Sequence, residues 1–415
     1  MDKPLAIVLG GTLPHVTLVE RLHARGYCVL LVDYLDDPPA KRVADEHVQI
    51  STLDREAVLS LAEERGAALV ISACIDQANS VCCYVAGRLG LPRPYSYETS
   101  LAVTEKGRMK AAFVKNGIPT AAYQEVASVE EVDWVRVSYP AVVKPVDCNS
   151  SKGVRRVANR DEATLRIAEA LSMSRAGKAI IEDFNDGDEI QVDCVAAADG
   201  VKVMMTRQKR KVSISGDAFV LQSWGSVFPA PLDDSLKKRA AEIAEKIAVA
   251  FGLHNTPFFY QATVVNGDIR VIEFAPRVGG GMSSKILLEL AGYDPVDCVV
   301  NSFLGKEICV SPVAQSRFRS TNILYMKSGV FGGIDGLEAL LSEGVVSDYV
   351  VYRRNGDRVD GDLRSSNRVA TLVIDGVTYD EVRRKSLRAL GTVEIRDPSG
   401  APMLNRELYR TFLNQ

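Results

Sequence analysis

Several things are scarce in this chain, and each scarcity removes a class of function. Its 415 residues hold only four histidines, with no HExxH spacing. Its eight cysteines, Cys28, Cys74, Cys82, Cys83, Cys148, Cys194, Cys298 and Cys309, form no CxxC pair. Zinc chemistry is therefore disfavoured. Most of these cysteines sit inside apolar runs, the setting of buried free thiols in a reducing compartment. No apolar run approaches a membrane span, and the apolar part of MDKPLAIVLGGT is too short for a signal peptide. The expected location is cytoplasmic, with no membrane partner. A net charge of -3 argues against a general nucleic-acid binder, although a local basic pocket stays open. Internal repeats and low-complexity linkers are also missing.

What is present is an alternation of strands and helices. Leu5–Leu9 reads as a buried strand, Gly10-Gly11-Thr12 as a turn, Pro14–Arg25 as an amphipathic helix and Tyr27–Asp33 as a second strand. This βαβ opening is the pattern of a doubly wound parallel sheet. Asp33 suits a ribose hydroxyl. Gly10-Gly11 lacks the full GxGxxG spacing, however, so a scaffold or substrate-side role stands beside dinucleotide binding. A helix at Asp54–Arg65, a strand at Ala68–Ala73 and a helix at Gln77–Leu89 continue the series. Asp76 and Gln77 follow a strand's carboxyl end, where open α/β sheets place ligands; Asp76 serves equally as a helix cap. A helix over Ser100–Asn116, a short helix over Ser128–Val135 and a strand at Ala141–Lys144 come next. The length calls for two or three domains.

Three later stretches carry chemistry. The loop from Pro145 to Val154, PVDCNSSKGV, is small and hydroxylated, with one lysine. It is either a solvated loop or a wrap for phosphates built from N–H groups and hydroxyls. Thr206–Val212, TRQKRKV, is either an edge strand protected by charge or a clamp for phosphate or carboxylate. The third is Tyr260–Lys285, YQATVVNGDIRVIEFAPRVGGGMSSK. Two β-rich runs, Phe258–Val265 and Ile269–Ala275, flank Asn266-Gly267-Asp268, a strong hairpin signal. Glu273, Arg277 and a glycine-rich exit follow. That order suits either a surface hairpin with a salt bridge or a metal–phosphate edge, where a carboxylate holds Mg²⁺ and a guanidinium neutralises a phosphoryl group.

In order along roughly residues 3–310, the N-terminal α/β domain, TEKGRMK, KNGIPT, YPAVVKP, DCNSSKGV, IIEDFNDGDEIQVD and VIEFAPRVGGG resemble the ATP-grasp ligases. The nearest resemblance is to the carboxylate–amine and amino-acid ligases. It implies an N-terminal doubly wound domain over residues 1–105, a two-lobed ATP-grasp domain over 106–310 (lobes 106–183 and 184–310) and a small α+β closing subdomain over 311–415. ATP and Mg²⁺ are the implied cofactors. The implied ATP contacts are Lys106, Lys144, the loop residues Ser150, Ser151, Lys152, Gly153 and Val154, the adenine hinge Glu182, Asp183 and Phe184, and Glu189 at the ribose. Arg277 is the implied catalytic residue, and Gln261 and Glu273 the implied metal ligands. Gly279, Gly280, Gly281 and Ser283 would shape the acyl pocket, with Arg207 and Lys209 facing an acidic substrate. Partners would be a small carboxylate and a small amine. Homodimers are common in such families, and nothing in this sequence demonstrates one.

The resemblance has a departure and a condition. Gln261 stands where a first carboxylate is usual, and Ala275 where an asparagine is usual. An amide oxygen can ligate Mg²⁺ and a methyl cannot. The condition concerns register. A two-residue Asn266-Gly267 turn with uninterrupted pairing sets Gln261 against Ile272 and puts Glu273 on the opposite face. Only a three-residue connection or a bulge brings Gln261 and Glu273 together. The expected reaction is ATP-dependent amide formation through an acyl phosphate. Carboxyphosphate chemistry on bicarbonate, or nucleotide binding without catalysis, are the alternatives.

Overall fold

The computed structural model describes residues 3–148, 152–212, 223–280, 282–361 and 367–413. The chain opens with β1 (Leu5–Leu9), α1 (Leu13–Ala24), β2 (Cys28–Val32), β3 (Glu46–Val48), α2 (Arg55–Glu64), β4 (Leu69–Ile71), α3 (Asp76–Leu89), α4 (Tyr97–Thr104) and α5 (Lys106–Lys115). It continues with β5 (Tyr123–Val126), β6 (Ala141–Pro145), β7 (Arg155–Val157), α6 (Arg160–Met173), β8 (Ala179–Asp183), β9 (Asp188–Ala197), β10 (Gly200–Lys211) and β11 (Ser223–Phe228). Then come α7 (Asp234–Phe251), β12 (Thr256–Val265), β13 (Asp268–Ala275), α8 (Ser283–Ala291), α9 (Pro295–Phe303) and β14 (Phe318–Leu324). Two compact units divide the chain: unit one is Met1–Ala121, Gln191–Met205 and Leu232–Ala314, and unit two is the remainder.

Unit one begins with an all-parallel sheet in the order β3-β2-β1-β4. Its strands are almost continuous apolar runs because helices cover both faces, and Ala6–Leu9, Val29–Val32 and Leu69–Ile71 are fully buried. The helix expected over Ser100–Asn116 is two helices, α4 and α5, broken at Glu105, whose backbone is extended (φ -98°, ψ 104°). Ser96 caps α4 by accepting from the Thr99 N–H. Later in the same unit, α7 starts at Asp233, which accepts from the Leu236 N–H, and stops at the left-handed Gly252. Its buried stripe, Ala240, Ile243, Ala244, Ile247 and Phe251, follows helical spacing. Two contacts hold the β12–β13 hairpin against it: the Tyr260 hydroxyl donates to the Ala240 carbonyl, and Phe251 packs on Phe274 with centroids 4.3 Å apart.

Unit two contains an antiparallel sheet in the order β5-β8-β6-β7, with α6 on one face. Ala163, Ile167 and Ala170 of α6 share a core with Val143, Val157 and Ile181. The short helix expected over Ser128–Val135 reduces to one 3-10 turn, Trp134–Arg136, which Asp133 caps by accepting from the Val135 N–H. Further on, β11 and β14 pair antiparallel, and β14 pairs with a strand at Ala370–Gly376, itself paired with Asp348–Val351. The helix Tyr379–Thr392 packs on this part. No disulfide forms: all eight cysteines are free, and Cys82, Cys83, Cys194 and Cys298 are buried. No helix among the described residues is long and apolar enough to cross a membrane.

Candidate active site

The β12–β13 hairpin satisfies the register condition by a route with its own logic. Its connection is the short one: Val265 pairs with Asp268 across Asn266 (φ 52°) and Gly267 (φ 75°), a turn whose positive φ values suit Asn-Gly. Uninterrupted pairing from there would turn Glu273 away from Gln261. The ladder instead shifts between Gln261 and Ala262: Ala262 pairs with Val271, but Gln261 pairs with Glu273. Ile272 is the surplus residue of a β-bulge, the device that re-aims side chains beside functional sites. The two side chains are cross-strand neighbours, both half-buried. Among the described residues no three His, Cys, Asp or Glu side chains form a metal-binding cluster. A carboxylate plus an amide oxygen nevertheless fits Mg²⁺, which takes few protein ligands and completes its shell with water and phosphate oxygens. Ala275 is buried and adds no ligand.

Arg277, two residues beyond β13, is held from a distance in sequence. Its Nε–H donates to Asp76 Oδ1 at 2.6 Å and its Nη2–H to Asp76 Oδ2 at 2.7 Å. A third bond runs from Nη1 to the Val278 carbonyl, and the guanidinium lies 5.0 Å from the Phe259 ring centre. Burial works against the charge, yet the Asp76 carboxylate outweighs it and raises the Arg277 pKa above its ordinary value. Asp76 is therefore not the cap of α3; the N-cap is Ile75, which makes no side-chain bond. Nearby, Gly279 is buried, Gly280 is exposed, and the Ser283 hydroxyl closes the turn by donating to the Gly280 carbonyl. Gly281 lies outside the described residues. Lys106 is the first residue of α5, a helix with no acidic residue in its first turn. A cation there opposes the helix dipole, so local helix energetics do not account for it.

The carboxyl edge of the parallel sheet adds two groups that the sequence reading left undecided or missed. Asp33 is buried, with Oδ2 accepting from the Gly11 N–H at 2.7 Å and Oδ1 from the Leu35 N–H at 2.9 Å. Both oxygens thus hold backbone turns, which corrects the ribose reading of Asp33. His15 is fully buried. Its Nε2 accepts from the Ala73 N–H at 3.3 Å and lies 3.1 Å from the Ser72 hydroxyl, which donates to the Leu9 carbonyl at 2.7 Å. Its Nδ1 lies 2.9 Å from the Thr12 hydroxyl. Burial pulls the His15 pKa down to about 3, with the Leu9 carbonyl opposing. The sign follows: below pH 6.5 the unfolded chain takes up a proton that the folded one refuses, so stability falls as pH drops from 6.5 toward 3. The expected slope is about 1.4 kcal/mol per pH unit in that window. Urea unfolding at pH 7 and pH 5 checks it, and His15→Gln should flatten the difference.

In unit two, Lys144 projects from β6 and Glu182 from the paired strand β8, where Val142 faces Glu182 in register. Lys144 Nζ donates to Glu182 Oε1, and both residues are buried. Asp183 is pushed above the usual carboxylate range by burial, then by the Glu182 charge. The Asp183 and Phe184 N–H groups donate to the Ala122 and Pro140 carbonyls, and Arg156 stacks 5.0 Å from the Phe184 ring centre. Glu189 Oε1 accepts from Lys209 Nζ. The basic run resolves into separate inward contacts. Arg207 lies 5.5 Å from the Phe228 ring centre, Arg210 Nη1 donates to Asn322 Oδ1 at 2.7 Å, and Lys211 Nζ donates to the Gly187 carbonyl.

Ser150 and Ser151 lie outside the described residues. Lys152 is exposed, Val154 half-buried and Gly153 buried, with φ +73°. A Cβ on Gly153 would come within 2.7 Å of Pro145 Cγ and 3.0 Å of Met173 Sδ. Gly153→Ala is accordingly expected to cost about 1–3 kcal/mol through left-handed strain and this close approach. Chemical denaturation reads the loss.

The profile of the phosphoribosylglycinamide synthetase ATP-grasp (A) domain matches residues 104–281. The formate-dependent phosphoribosylglycinamide formyltransferase of Rhodococcus jostii is 29% identical over 63% of this chain and 65% of its own length. The protein of the same name from Paraburkholderia xenovorans is 25% identical over 91% of both chains. Among solved structures, an L-amino acid ligase from Bacillus licheniformis superposes with a TM-score of 0.80 at 21% identity, covering 96% of this chain and 99% of that one. A phosphoribosylglycinamide synthetase from Anaerococcus prevotii gives 0.75 at 15% identity, covering 95% and 100%.

Proposed function

The chain belongs to the ATP-grasp superfamily, and from that premise we propose that it is an ATP-dependent carboxylate–amine ligase. The observation that carries the proposal is the bulge at Ile272, which sets Gln261 opposite Glu273 four residues before a guanidinium fixed by a half-buried carboxylate. A hairpin with no such duty would keep the regular ladder its Asn-Gly turn begins. In this reading a substrate carboxylate oxygen attacks the γ-phosphorus of ATP, and the bond to the bridging oxygen breaks to release ADP. An amine nitrogen then attacks the acyl carbon, phosphate leaves, and the nitrogen loses its proton to give the amide.

Arg277 is assigned to the charge that develops on the transferring phosphoryl oxygens. Gln261 and Glu273 would hold Mg²⁺, which when bound supplies neutralisation of phosphate charge. Lys106, Lys144 and Lys152 are assigned to the phosphates, with Ser150, Ser151, Gly153 and Val154 shaping their loop. Glu182, Asp183 and Phe184 are assigned to the base and Glu189 to the ribose; Lys144 and Lys209 orient two of these carboxylates in the free protein. Gly279, Gly280, Gly281 and Ser283 border the acyl group. The two kinds of relative suggest two kinds of amine, a phosphoribosyl amine with formate as the acid, or an amino acid. A cytoplasmic location and a homodimer accord with this reading.

The test is a phosphate-release screen with ATP, Mg²⁺ and pairs of carboxylates and amines, with product masses. The expected result is ADP release that requires both partners and yields a mass equal to their condensation. ATP binding with no ADP from any pair would sink the proposal.

A further inference from the structure

The parallel sheet order β3-β2-β1-β4 places its topological switch between β1 and β4, where the chain leaves β1 on one side and β4 lies on the other. Open α/β sheets bind ligands outside the carboxyl ends of the strands at this point. The Gly10–Thr12 turn and the Ser72–Asp76 segment meet there, with Thr12 Oγ1 3.3 Å from Cys74 Sγ and the Asp76–Arg277 pair beside them. A glycine turn leading into a helix at such a place would ordinarily cradle a phosphate on free N–H groups.

This turn is closed to one. The Gly11 N–H is bonded to the buried Asp33 carboxylate, and the Gly11 carbonyl accepts from the Ala40 N–H at 3.0 Å. Pro38 lies so close that a Cβ on Gly11 would sit 2.4 Å from it. A carboxylate thus occupies the place where a phosphate would need donors. The rim of the same edge is carbon-rich instead. Leu13 is 41% exposed, Tyr34 65%, Leu35 46% and Leu53 42%, each just past the carboxyl end of a strand. Large exposed apolar side chains gathered on one edge mark a binding surface.

Resting on the ligase reading, we propose that this edge takes a non-phosphorylated amino acid with an apolar side chain. The Asp76 carboxylate and Arg277 guanidinium together complement a zwitterion, while Tyr34 and Leu35 meet its side chain. The glycine turn is a structural closure rather than a phosphate cradle.

The experiment pairs calorimetry with ADP release on the full chain, with Mg²⁺ and a non-hydrolysable ATP analogue in the binding arm. L-Leucine and L-phenylalanine are expected to bind and 5-phosphoribosylglycinamide is not. Tyr34→Asp combined with Leu35→Asp, both surface positions, should weaken leucine binding at least about tenfold while ATP affinity stays unchanged. Binding of phosphoribosylglycinamide, with ADP release when formate is added, overturns the assignment and leaves the ligase reading intact. Leucine binding unaltered in the double variant also overturns it. So does a double variant that dissociates an oligomer in light scattering without touching leucine binding, since the edge would then join two copies. Leucine binding with no ADP release from any pair removes the ligase reading and keeps the binding edge.

Discussion

Replacing Arg277 by alanine is expected to lower ADP release by about a thousandfold or more, the range seen when a charge-stabilising donor is removed from phosphoryl transfer. The substitution has a second effect that must be separated from the first. Arg277 is the partner of a half-buried carboxylate, and removing it strands Asp76, at a cost of about 3–5 kcal/mol in folding. A loss of activity in Arg277→Ala alone is therefore ambiguous. Arg277→Lys keeps the charge but cannot reproduce the fork that spans both Asp76 oxygens, so activity should still fall by about a hundredfold with a smaller change in stability. Asp76→Asn keeps the shape and removes the charge that fixes the guanidinium. If Asp76 positions Arg277 for chemistry, kcat falls while the KM for ATP holds, and Asp76→Glu restores part of the rate. If the pair is only a structural tie, denaturation midpoints shift in all these variants while kcat per folded molecule does not.

Glu273→Ala is expected to cost about a hundredfold or more in ADP release, since it removes the one carboxylate of the proposed Mg²⁺ pair. The stability cost should be small, because Glu273 is half-buried and faces a neutral amide across the ladder. The informative companion is Gln261→Glu. It places a second carboxylate at the register position opposite the first and should lower the Mg²⁺ concentration for half-maximal activity, while destabilising the metal-free protein through like charges directly opposed. Opposite movements of metal requirement in the two variants identify the pair as ligands. Parallel movements, or none, would place the metal elsewhere.

How much of this was legible in the sequence follows from the range of the interactions. The parallel opening could be read because Leu5–Leu9 and Cys28–Val32 are apolar throughout, and burial on both faces leaves that signature in consecutive residues. The hairpin could be read because Asn266-Gly267 imposes its turn locally. The bulge could not, since nothing in VIEFA distinguishes a surplus Ile272 from a regular strand residue; only the demand that Glu273 meet Gln261 signalled it. The Asp76–Arg277 fork joins residues 201 positions apart, and local patterning carries no information across that distance. The break at Glu105 was missed because TEKGRMK has good helix formers on both sides. The basic run was ambiguous for a related reason, as composition counts charges and does not say which of them already have partners.

The unequal arms of the hairpin also bear on how its length can vary. Between the turn and the facing pair, β13 is longer than β12 by the single residue that Ile272 represents. A deletion anywhere from Ile269 to Ile272 would absorb that surplus, turn the ladder regular, and still leave Gln261 opposite Glu273. A deletion in the matching part of β12 would double the mismatch. The hairpin is thus tolerant of loss on one arm and intolerant on the other, and related sequences carrying the same pair should differ in length on the β13 side of Asn266-Gly267.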